Sequence, residues 1–196
     1  MSFFQDNYPN LSEQQAIAIP DHYPLQDEQM PMRDVWFPSA ARAYGEATFV
    51  CPTNSILNSL NSLNSASASK PKPIWSYRFN VRDDIYVSLG LGVPHVLETT
   101  AVMGGPGMLP DTASSASFST YNAPMVPVVM KYWLSFVRSL DPNVHKDADA
   151  PVWEPWGSSQ RRLLLQTGGS VMETVDQGQS DRCRFWQSLA SSMNQR

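Results

Sequence analysis

The feature that most constrains this 196-residue chain is an amphipathic run over residues 123–140. Val128, Val129, Tyr132, Trp133, Phe136, Val137 and Leu140 recur there at three-to-four spacing, which predicts a long helix stopped by the Asp-Pro-Asn at 141–143. A helix with so wide an apolar face must lay it against another element. Two strand signals flank it. "IWSYRFNV" alternates Trp75, Tyr77 and Phe79 against Ser76, Arg78 and Asn80, which predicts a half-buried strand with three aromatics on one face. "RRLLLQ" at 161–166 is a short apolar run bounded by Gly168 and Gly169 and predicts a buried strand.

Other segments read as helices and loops. In "PNLSEQQAIA" (9–18) Asn10 or Ser12 can cap a helix that Pro20 stops. Asn10-Leu11-Ser12 is also an N-glycosylation sequon, which makes Asn10 a glycosylation candidate. Between Arg33 and Tyr44 the set Trp36, Phe37, Ala40, Ala41 and Tyr44 predicts a helix whose aromatic stripe faces the core. A further helix starts near Pro52, with Ile56, Leu60 and Leu63 on one face, and dissolves into "NSASASKPKP", an exposed loop. Residues 104–124 predict a surface excursion or lid-like loop, and 179–193 a last helix with Cys183, Trp186, Leu189 and Met193 in register.

Composition limits the function classes. At 42% hydrophobic and 11% aromatic the chain can bury a core, and it reads as one domain over 1–196. A net charge of −4 with scattered Lys and Arg offers no basic stripe, so nucleic acid is not an expected partner. No apolar run approaches the roughly 20 residues of a membrane span. The opening "MSFFQDNYPNLSEQQ" lacks the basic and apolar regions of a secretory signal, and taken literally it places the chain in the cytoplasm. Two cysteines, Cys51 and Cys183, lack the spacing of a zinc site and are either two buried thiols or one long-range bridge. No metal or cofactor is implied.

The candidate chemistry centres on "GLGVPHVLE". His95 follows a strand and a rigid Gly-Val-Pro, and Glu98 stands three residues on. By itself such a histidine is either a structural loop residue or a proton carrier, which needs a nucleophile and a carboxylate from elsewhere. His22 and His145 lie in polar, Asp-rich stretches where solvated side chains are expected. A Gly-x-Ser-x-Gly nucleophile elbow is absent from these residues; "GGSVM" and "GQSDR" lack its second glycine and its strand-to-helix setting.

Taken together, "YRFNV…GVPHVLE" resembles the type-B carboxylesterase family, the lineage of cholinesterases, fungal lipases and neuroligin-like proteins. In that family a strand runs into a Gly-x-x-His-x-x-Glu turn carrying the catalytic histidine. Further segments are similar in the same order: "NYPNLSEQQAIAIPDHYP", "FVCP" at 49–52, "MKYWLSFVRSLDPN", "VWEPWG" with "RRLLLQ", and "RCRFWQSL" at 182–189.

The resemblance implies the C-terminal part of an α/β-hydrolase fold, an incomplete sheet flanked by long helices and matching about the last third of the family. It implies His95 as general base, Glu98 as a supporting acid, and Cys51 paired with Cys183. The activity implied is that of a serine-type carboxylic ester hydrolase acting on an ester or lipid-like small molecule. The nucleophilic Ser and the acidic triad member would lie outside these residues, so the isolated chain is expected to be inactive. A secreted location is implied if the chain derives from a full-length member, together with a homodimer or partner contact through helix 179–193. The alternative is an inactive esterase-like pseudoenzyme or accessory binding protein, as in a fungal secondary-metabolite pathway.

Overall fold

The computed structural model describes residues 2–27, 33–66, 72–106 and 116–194. The chain divides into two compact units, one of residues 1–72 with 175–196 and one of residues 73–174.

The first unit is helical. It begins with α1 (Ser2–Asn7) and α2 (Glu13–Ile17). Ser12 caps α2, accepting from the Gln15 backbone N–H while the Gln15 side chain accepts from the Ser12 N–H, a reciprocal capping box. Pro20 does not end this region. It sits in the first turn of the next helix, α3 (Ile19–His22), where the missing N–H has no intrahelical partner to lose.

After α4 (Phe37–Gly45) comes a π-helical turn, Glu46–Val50, and then α5 (Cys51–Ala66). The aromatic stripe expected in the core is there only in part: Tyr44 packs against the unit's core, but Trp36 and Ala41 face water, while Ser39, Ala43, Glu46 and Ala47 are buried. The buried face is shifted from the expected one because Glu46 goes inside with its partners, beside the small residues Ser39, Ala43 and Ala47. Ile56, Leu60 and Leu63 of α5 are exposed, and its inner face is Cys51, Asn54 and Leu57. Of the loop expected over 64–73, residues 64–66 continue α5 and residues 67–71 lie outside the described residues.

The second unit opens with strand β1 (Tyr77–Asn80), followed by α6 (Asp84–Ser88), α7 (Leu97–Val102) and α8 (Met125–Ser139). Asp83 caps α6 through a bond from the Ile85 N–H. Leu140, at φ 54°, closes α8 in the left-handed region just before Asp-Pro-Asn. Of the excursion expected over 104–124, residues 107–115 lie outside the description. The rest is a surface segment anchored from within: Tyr121 is 48% exposed, but Phe118 is 3% exposed and Asn122 fully buried. Asn122 earns burial by bonding, donating from Nδ2 to the Arg82 carbonyl and accepting at Oδ1 from Thr167.

Strands β2 (Arg161–Gln166) and β3 (Val171–Thr174) complete a three-stranded sheet in the order β1-β2-β3. Pairing of β1 with β2 is parallel and of β2 with β3 antiparallel. The hairpin between them turns on Gly168 and Gly169, at φ 83° and 137°, where a side chain would be strained. One sheet face is apolar: Phe79, Leu163, Leu165 and Met172 pack with Val129 and Tyr132 of α8 and with Leu97 and Ala101 of α7. On the other face Arg78 grips Glu173 with two bonds of 2.7 Å and Arg162 adds one of 2.6 Å.

The chain then returns to the first unit as α9 (Gln177–Leu189), capped by Asp176 through the Gln179 N–H. Trp186, Leu189 and Met193 are buried there with Phe4, Leu11 and Tyr23.

Candidate active site

His95 sits where β1 leads after it leaves the sheet. Val81 is buried at the strand's end, α6 follows, and the chain turns back through Gly90 and Gly92, both at positive φ. Residues beyond the carboxyl end of a parallel strand are where open α/β sheets place their sites. His95 itself is exposed, in a turn that the Leu97 N–H closes on the Pro94 carbonyl at 3.4 Å. Val96 follows at φ 68°, a left-handed conformation that a β-branched residue rarely adopts. The turn is anchored from its far side, since Leu97, Thr100 and Ala101 of α7 are all buried.

Glu98 occupies the first turn of α7, the end of a helix that favours negative charge. Its electrostatic reach extends to β1. Burial pushes the Tyr77 phenol above its ordinary range, and the Glu98 charge pushes it further, so Tyr77 stays neutral. The structure thus brings Glu98, three residues past His95, within electrostatic reach of Tyr77. The other two histidines have ordinary surroundings. His22 ends α3 instead of lying in a loop, and its ring stacks on Phe185 at 4.0 Å; His145 Nε2 lies 3.0 Å from Ser139 Oγ. Among the described residues no group of three or more His, Cys, Asp or Glu could hold a metal ion, and no helix is long and apolar enough to cross a membrane.

The two cysteines form a disulfide. Cys51 at the start of α5 is bonded to Cys183 in α9 across 132 residues, which resolves the choice between thiols and bridge. Asn10, the sequon residue, is exposed, and Ser12 of the same triplet is engaged as the α2 cap.

One polar cluster had no sequence signal. Glu46, 4% exposed, accepts two bonds from Arg182 at 2.7 and 2.8 Å, one from Tyr23 at 2.7 Å and one from Arg42 at 3.3 Å. Trp186 Nε1 donates in turn to the Tyr23 hydroxyl. Burial pushes the Glu46 carboxyl up, but the bonds from Arg182 and Tyr23 and the charges of both arginines outweigh it and hold the carboxyl below its usual range. Its donors are all spent inside the helical unit, so the cluster is structural.

Helices packed on a small mixed sheet give the chain the architecture of a partial α/β fold. The carboxylesterase family profile matches residues 2–186, and the chain belongs to that family. A solved structure, Aspergillus niger EstA, superposes with a TM-score of 0.85 at 39% identity, covering 97% of this chain and 35% of its own. Mouse carboxylesterase 5A is 26% identical over 117 residues, 58% of this chain and 19% of that protein. The chain therefore spans about a third of EstA and about a fifth of the curated relative, and the fold is part of an α/β-hydrolase.

Proposed function

We propose that this chain carries the histidine-bearing portion of a carboxylic ester hydrolase, with His95 as general base. The observation that supports it is the position of His95, exposed beyond the carboxyl end of a parallel strand and anchored through α7, in a chain of the carboxylesterase family. In this reading His95 takes the proton of a serine hydroxyl as its oxygen bonds to the ester carbonyl carbon. It returns that proton to the alkoxy oxygen as the carbon–oxygen bond breaks and the alcohol leaves. Water then attacks the acyl-enzyme with His95 again accepting the proton, which gives the acid and restores the serine. Glu98 places a negative charge beside the turn and steadies its cationic stage. The nucleophilic serine and the triad acid come from polypeptide outside these 196 residues.

The test is a chimera in which this chain replaces its counterpart in EstA, assayed on a p-nitrophenyl ester beside intact EstA. We expect turnover, lowered at least about 10⁴-fold by His95→Ala. The isolated chain should show none. A chimera as active with His95→Ala as without it would remove His95 from the mechanism.

A further inference from the structure

The β1–β2 pairing ends at Asn80 and Gln166, and just beyond it the chain is held by a ring of side-chain bonds. The Arg82 N–H donates to Thr167 Oγ1 at 3.2 Å, the Thr167 hydroxyl donates to Asn122 Oδ1 at 2.9 Å, and Asn122 Nδ2 donates to the Arg82 carbonyl at 2.7 Å. Each of the three residues donates once and accepts once, so the bonds polarise one another around the ring.

Asn122 is the member that makes the ring possible. It is fully buried, and its own backbone is fixed, the N–H donating to the Ser117 carbonyl at 2.8 Å and the carbonyl accepting from the Met125 N–H at 3.0 Å. A carboxamide offers a donor and an acceptor on one plane; a carboxylate of the same shape lacks the donor. The preceding residue adds a fourth tie, since the Asp84 N–H donates to the Tyr121 hydroxyl at 2.8 Å. The approach to α8 thus grips residues 82 and 84, where the segment carrying His95 leaves the sheet. That segment runs between two buried residues, Val81 and Leu97. Helix α7 anchors its far end, and this clamp anchors its near end.

We propose that Asn122 is a positioning residue for His95: through Arg82 it sets the direction in which residues 82–97 depart from β1, and with it the place of the imidazole. The proposal rests on the reading of His95 as general base. A misplacement of about 1 Å at a reacting group can cost about a hundredfold in rate, so a loosened clamp should lower kcat. Asn122 is buried and Thr167 lies in the β2–β3 turn, and neither has a part in holding substrate, so KM should not follow.

The test uses the EstA chimera and Thr167, whose exposed position lets it be changed without opening the core. Thr167→Val keeps the shape and removes the hydroxyl, whereas Thr167→Ser keeps the hydroxyl. With Thr167→Val or Asn122→Asp, kcat on a p-nitrophenyl ester should fall about 10- to 100-fold while KM stays within about twofold, and Thr167→Ser should retain the parent rate. Hydrogen exchange in the same proteins should quicken about tenfold or more over residues 82–97 in Thr167→Val and stay unchanged in β2. Ser135→Ala is the control. Ser135 is also fully buried, and its hydroxyl also ties two backbone groups, the Asp141 carbonyl and the His145 N–H, but at the other end of α8. Its replacement should lower the melting temperature and leave kcat alone. An unchanged kcat in Thr167→Val and Asn122→Asp, in a chimera that His95→Ala silences, would overturn the proposal, and so would an equal fall in Ser135→Ala. If His95→Ala leaves the chimera active, the general-base reading falls by itself. Exchange then decides for the clamp: unchanged rates over 82–97 overturn it, and faster ones keep it as the anchor of the His95 turn.

Discussion

Glu46 and Glu173 are both carboxylates gripped by two arginines, yet the regions they serve are built on different terms. Arg182 reaches Glu46 from 136 residues away, both side chains are nearly dry, and the same helical unit is closed by a disulfide. Glu173 takes its arginines from β1 and β2 of the same small sheet, with its own side chain 19% exposed and Arg78 40% exposed. The first unit is thus held by long-range, buried and covalent ties. The second is held by strand pairing, one apolar face and the partly exposed Glu173 ion pairs, and it carries the His95 turn. The contrast is between a part closed by buried and covalent ties and a part that leaves its candidate base exposed.

The largest effect should come from the covalent tie. Replacing both Cys51 and Cys183 by Ser should cost about 5 kcal/mol, since the bridge closes a loop of more than a hundred residues in the unfolded chain. Denaturant melts give the magnitude, and segment-resolved hydrogen exchange tests the comparison: α5 and α9 should lose protection while β2 keeps it. Equal losses in β2 would mean that the two units are not distinct in stability.

Next comes Glu46→Gln, which should cost about 3 kcal/mol by leaving Arg182 buried with a weakened partner. The ion cluster also sets a pH response. The folded carboxyl is held below its usual range, so its contribution is complete above the unfolded glutamate value of about 4.3 and is lost as the pH falls through the lower folded one. Acid should therefore loosen α4 and α9, and Glu46→Gln should flatten that dependence. Glu173→Gln should do less, about 1 kcal/mol, because water already screens part of its pairs. Burial raises the Glu173 carboxyl while bonds and charges from Arg78 and Arg162 lower it overall, so the sign is the same as for Glu46. Melts of both variants across pH 3–7 rank the two clusters; a larger cost at Glu173 would reverse the comparison.

These differences explain what the sequence could disclose. The α8 periodicity and the apolar β2 run are local patterns, and both elements appear within a residue or two of their expected bounds. The family's ordered segments supplied what local pattern could not: the partial hydrolase fold and the Cys51–Cys183 pairing, which spacing alone left open. Where a polar group goes inside, local reading fails. The 36–44 stripe reaches the core only in part because nothing near Glu46 announces that it will be buried by Tyr23, just past α3, and by Arg182 of α9. Asn122 was read as surface for the same reason, its partners Arg82 and Thr167 being distant in sequence. Strand β3 was missed because four residues, "VMET", are too few to show alternation, and their pairing comes from the Gly168–Gly169 turn. As for His95, its sequence setting fixed the turn but not the conformation of the residue after it.

That residue carries the smallest prediction and the one closest to function. Val96 holds φ 68° and is 57% exposed, so burial does not offset the cost of its left-handed backbone. Val96→Gly removes the clash between the side chain and its own backbone but gives the unfolded chain more freedom, and the first term should win by about 0.5–1 kcal/mol. Leu140→Gly is the control. It sits at φ 54° as the cap of α8, away from the histidine turn, and should gain a similar amount. Melts of the two variants therefore isolate strain from location. If Val96→Gly gains no stability while Leu140→Gly does, contacts of the His95 turn hold Val96 in place, and the turn belongs with the closed part of the molecule instead of the open one.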